Sequence, residues 1–81
     1  LAVQLRNHRA KVHLGQIEKF LDYLVHDDSQ HFTNGLFVST SGFTPSVYSY
    51  LREEKINNLR LAILREGRLL WNAEEIDAAA E

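Results

Sequence analysis

The spacing of apolar residues switches between two periods along this chain, and that alternation restricts the fold more than any single residue does. Leu1, Val3 and Leu5 alternate with Ala2, Gln4 and Arg6, the period-two pattern of a strand with one face buried. Leu14, Ile17, Leu21, Leu24 and Val25 then recur at steps of three and four, with Phe20 beside them, which predicts a helix with an apolar stripe. Asp27, Asp28 and Ser29 are expected to stop it, and a polar loop is expected to run to Asn34. Gly35 to Thr40 is a short apolar run of the kind that forms a buried strand. Thr44-Pro45 opens a second helix, with Thr placed to cap free amides and Pro preorganised for the first turn; it should reach about Glu54 with Val47, Leu51 and one of Tyr48 or Tyr50 inward. Leu59, Leu61 and Ile63 alternate again, Arg65 to Arg68 reads as a turn, and Leu69 to Trp71 as a last strand paired to it through a Glu-Gly hairpin loop. The order is β-α-β-α-β-β. Strands joined through helices require parallel pairing and a right-handed crossover.

Length and composition fit that plan. Eighty-one residues make one domain and bury a modest core. With 44% hydrophobic and 25% charged residues the chain has the means to fold. No apolar run approaches the ~20 residues that span a bilayer, so a membrane partner is not expected. The absence of cysteine rules out disulfides and thiolate metal sites and permits a reducing compartment, the cytoplasm being the expected one. The chain opens on Leu1 and has no methionine, so residue 1 is read as lying inside a longer protein and the domain as partial. Net charge is −2, which does not mark a dedicated nucleic-acid binder. Its distribution is uneven: Arg6, Arg9 and Lys11 precede the first acid, Glu18, while Glu74, Glu75, Asp77 and Glu81 crowd the end. The ends read as a phosphate-facing strand and a solvated terminus or, more plainly, as a solvated strand end and a frayed acidic tail over 72–81, a stretch the sequence leaves open between helix and loose end.

Most candidate chemistry dissolves on inspection. His8 and His13, like His26 and His31, stand five apart, which is not the spacing of two ligands on one helical face. Gly15, Gly35, Gly42 and Gly67 stand alone rather than forming a phosphate-wrapping loop. The helix opening at Thr44, with hydroxyls from Ser39, Thr40 and Ser41, could meet a phosphate, but capping within the loop is the simpler use. Gln4 and Arg6 are more telling. One residue apart on a strand, they share a face.

Around that pair the chain runs Leu1 to His8, then Lys11-Val12, then Ile17 to Leu21, then Gly35 to Thr44. This resembles the carboxyl-terminal part of Mrr-type restriction endonuclease domains, in the PD-(D/E)XK nuclease superfamily. The resemblance covers residues 1 to about 64, and the stretch from Gly35 to Val47, GLFVSTSGFTPSV, is its most specific piece. It implies a restriction-endonuclease-like sheet flanked by helices and a Mg²⁺-assisted phosphodiester hydrolysis, in which acids hold the metal and a lysine positions the nucleophile. Carried over, Gln4 stands at the acid position and Arg6 at the lysine position, which makes both the implied catalytic residues. Gln4 can offer a carbonyl to Mg²⁺ but brings no charge. Arg6 is a permanent cation suited to gripping phosphate and does not replace a compact ammonium. The first metal-binding acid would lie upstream of Leu1. Gln16, on the following helix, could face the same cleft.

Two functions follow as expectations, beside a third in which the intact parent protein is an active Mg²⁺-dependent nuclease. One is a nuclease-related DNA-binding domain with a degenerate or incomplete Mg²⁺ site, in which Arg6, Arg9 and Lys11 contact phosphate of duplex DNA. The other is a catalytically silent α/β interaction module that docks through an apolar sheet edge or Trp71, on another copy or on other parts of its parent chain.

Overall fold

The computed structural model describes residues 1–26 and 34–80. The expected helix stop at Asp27, Asp28 and Ser29, and His31, lie outside them. Strands β1 (Ala2–Arg6), β2 (Gly35–Ser39), β3 (Leu59–Arg65) and β4 (Arg68–Leu70) alternate with helices α1 (Leu14–His26) and α2 (Pro45–Glu53), and a third helix, α3 (Ala73–Ala79), closes the chain. The sheet order is β1-β2-β3-β4. β1 pairs with β2 and β2 with β3 in parallel, and β4 returns antiparallel to β3. This is the expected α/β order, β-α-β-α-β-β, with a helix in place of the acidic tail.

Register decides which residues meet the helices. Gln4 lies opposite Phe37, and Phe37 opposite Leu61, so they share one side of the sheet. On that side Ala2, Phe37, Leu59 and Ile63 join Ile17, Phe20 and Leu24 of α1, Val47 of α2 and Ala73 at the start of α3 in a single core. Phe20 meets Phe37 edge-on at 5.5 Å, Phe37 meets Phe43 at 6.0 Å, and Phe43 meets Tyr48 at 6.1 Å, a chain of aromatic contacts through that core.

The other side overturns the expectation for β1. Val3 and Leu5 are its exposed side chains, by 60% and 52%, and Leu1 just before it is exposed too, while Ala2 is buried and Gln4 and Arg6 are half-buried. The reason lies in the neighbouring strand. β2 is apolar on both faces, as central parallel strands are, so the alternation in β1 does not reveal which side carries the helices. Leu69 and Trp71 lie exposed on the same outer side, with the Arg60 guanidinium 4.5 Å from the Trp71 ring centre. Val25, read as part of the α1 stripe, is also exposed.

Two backbone joints fix the rest. Pro45 opens α2 as expected, but the Thr44 side chain makes no cap bond; its hydroxyl lies 3.0 Å from that of Ser46. At the far end Lys55 takes a positive φ of 52°, the Lys55 amide donates to Arg52 and the Ile56 amide to Leu51, a Schellman ending. The β3–β4 hairpin turns through Glu66 and Gly67, with φ of 51° and 76°, both left-handed as a type I′ turn requires.

Candidate nucleic-acid interface

Gln4 and Arg6 project from β1 toward one flank of α1. Gln16, Lys19, Phe20 and Tyr23 recur along that flank at steps of three and four, so they line one face of the helix. Together with Phe37 the two sets bound a cleft of about 180 Å³. Gln16, only suggested by its spacing, therefore does face the same cleft as Gln4 and Arg6. Its side-chain oxygen accepts the His13 amide at 3.0 Å, which helps to hold it at the mouth. Lys19 and Tyr23 were missed; the signal was their spacing from Gln16, which a helical wheel carries but a search for acids does not.

A second, wider depression of about 470 Å³ shares Arg6 and Gln16 and continues past His8, Arg9, Lys11 and His13. Arg9 is exposed there. Lys11 is not simply a surface cation: its ammonium lies 3.7 Å from Asp77 Oδ1.

Asp77 is the polar residue that sequence reasoning placed in a frayed tail, and it is only 4% exposed. Its Oδ2 accepts the Phe43 amide at 2.9 Å and the Tyr48 hydroxyl. Gly42, at φ 95°, leaves the space it occupies, because a Cβ there would overlap the carboxylate. Burial above all, then the hydrogen bond to Asp77 and the negative charges of Asp77 and Glu74, push the Tyr48 hydroxyl well above its ordinary value.

The hydroxyls of the Ser39–Ser41 segment are spent inside the fold. Ser39 Oγ donates to the Gly42 carbonyl at 2.9 Å and accepts the amides of Ser41 and Gly42 at 3.1 and 2.9 Å. Thr40 Oγ1 lies 3.3 Å from Asn7 Oδ1 and 3.3 Å from the His8 carbonyl, which the Ser41 hydroxyl also reaches. They tie the end of β2 to the segment after β1 and so hold Arg6 at the cleft.

The cleft's electrostatics are plain: two cations, two amides and no carboxylate among its lining residues. Among the described residues no group of three His, Cys, Asp or Glu is placed to hold a metal. No helix among them is long and apolar enough to cross a membrane.

The model of one protein family, described as restriction endonuclease (Mrr catalytic domain), matches residues 1–67. The chain belongs to the Mrr-type restriction endonuclease family. No curated protein and no solved structure gave a significant match. Membership makes this Mrr-type chain nuclease-related, in a family that acts on DNA and typically uses a divalent metal. The cleft residues do not fit that metal. A hard divalent cation takes anionic and carbonyl oxygens, whereas here the two amide carbonyls stand beside Arg6 and Lys19. An anion meets the opposite situation, since guanidinium, ammonium and amide N–H groups all donate to phosphate oxygens.

Proposed function

We propose that this chain is a nuclease-related DNA-binding domain that grips the phosphodiester backbone through a cleft lacking the carboxylates of Mg²⁺-dependent hydrolysis. The observation that carries this reading is the lining of the cleft, where Arg6 and Lys19 stand with Gln4 and Gln16 and no acid. Arg6 forms paired bonds to phosphate, Lys19 adds a mobile charge, and Arg9 extends the contact along the neighbouring depression. Lys11 contributes less than its position in the sequence suggests, because Asp77 holds its ammonium. In this reading Gln4 orients the backbone and is not a metal ligand. The cytoplasm, where such domains meet DNA, is the compartment we assign.

Binding to a duplex measured at 50 and 200 mM salt tests the reading. Three cations on phosphate give a slope of about −2.7 in log–log form, a loss of roughly fortyfold over that range. Arg6→Ala or Lys19→Ala should each reduce the slope by about one. Millimolar Mg²⁺ should produce no specific heat of binding and no plasmid cleavage. Duplex that is not retained even at low salt sinks the proposal.

A second reading draws on the exposed Leu1, Val3, Leu5, Leu69 and Trp71. It takes the chain as a catalytically silent interaction module whose outer sheet side meets a second copy of itself. Arg60 is a charge on that side, and its guanidinium lies over the Trp71 ring. Sedimentation across a hundredfold range of concentration, with no DNA retention, is the outcome that selects it.

A further inference from the structure

Tyr23 has no evident task in gripping phosphate, yet it stands at the mouth of the cleft with 46% of its surface exposed. Its ring lies nearly parallel to that of Phe20, tilted by 17° with centres 6.1 Å apart. Phe20 is buried and wedged edge-on against Phe37, so the exposed ring is backed by fixed aromatic packing. Two aromatic residues three apart on a helix are, on the plainest view, a packing pair. Packing does not account for the rest of the arrangement, in which the half-exposed ring shares its cleft with Arg6, Lys19 and two glutamines.

A duplex has little use for such a ring, since its base faces are covered by stacking and only edges and phosphates are offered. An unpaired base has a bare π-face, and every base has one. We infer that this cleft takes an unpaired nucleotide of a single-stranded segment, with its phosphate between Arg6 and Lys19 and its base against Tyr23. The inference rests on the phosphate-gripping reading and names the form of nucleic acid that the cleft prefers. The glutamine amides, able both to donate and to accept, can meet any base edge, so little sequence preference is expected. The size agrees: about 180 Å³ has room for part of one nucleotide.

Fluorescence anisotropy at low salt tests it, with the chain titrated against a short oligothymidine, the same strand lacking its bases, and a blunt duplex of equal length. The oligothymidine should bind about tenfold more tightly than the baseless strand, the share that one stacked base supplies. Tyr23→Ala should erase that difference and leave duplex binding within about twofold, Tyr23→Phe should keep it, and Arg6→Ala should weaken all three ligands. Equal binding of the two single strands by the unaltered chain overturns the inference whatever the variants do. If Arg6→Ala still weakens every ligand in that case, the phosphate grip survives and only the stacking falls. If nothing binds, both go.

Discussion

Asp77 does more for this fold than any other charged side chain described above. It gives the Phe43 amide and the Tyr48 hydroxyl an acceptor and faces Lys11, all from a buried position. Removing it leaves two donors and an ammonium without their partner, so Asp77→Ala should cost about 3 kcal/mol. For a domain of this size that lowers the melting temperature by roughly 12–24 °C, readable by circular dichroism. Tyr48 carries a second consequence. Its hydroxyl is pushed upward in the folded state, so the folded chain keeps a proton that the unfolded chain releases above about pH 10. The folded form then binds more protons, and stability, intact below that pH, falls as the pH rises beyond it. Urea midpoints at pH 8 and 10.5 should draw apart less in Tyr48→Phe than in the parent. At this scale the sequence is legible only over short range. Alternation places Gln4 and Arg6 on a common side, as found. Nothing in it brings Asp77 to Phe43, because 34 positions separate them and only the folded sheet closes the gap.

The elements were easier to read than their ends. Every strand and the first two helices follow from apolar period and the Thr-Pro and Glu-Gly signals, since those patterns are imposed locally. For α3 the conspicuous acids leave helix and loose end equally open, although Ala73, Ile76 and Asp77 stand at helical spacing and are the residues it turns inward. The Thr44 cap was misassigned for a comparable reason: residue type suggests a bond that the side chain does not make. The end of α2 supports a prediction. Lys55 holds a left-handed backbone that costs an L-residue with a side chain about 1 kcal/mol and glycine almost nothing. Lys55→Gly should therefore stabilise the domain by up to about 1 kcal/mol, seen as a rise of roughly 4–8 °C in Tm. An unchanged or lower Tm would show that the Schellman ending does not form as described.

At the scale of the whole molecule, the helices and the core lie on one side of the sheet, and the outer side keeps Val3, Leu5, Leu69 and Trp71 in reach of solvent. Domains ordinarily bury a sheet's apolar side against another layer. The chain in isolation should accordingly bind a hydrophobic dye and associate as concentration rises. Replacing Val3 and Leu5 together with lysine should suppress both effects while shifting stability by less than about 1 kcal/mol, because neither side chain belongs to the core. A loss of folding in that double variant would place the outer side inside the stabilising core after all. This arrangement was not legible beforehand, since a strand pattern tells apolar from polar but not inside from outside.

The family match stops at Gly67, and the carboxylate that fits against Gly42 arrives ten residues later. Ancestry and mechanics thus draw different borders on the same polypeptide. Anyone trimming the protein to its shared region would discard the returning strand and the closing helix, and with them a plug for the loop that steadies Arg6. Such a shortened polypeptide should be recovered unfolded or as aggregate, and proteolysis of the full chain should yield no stable product ending near residue 67.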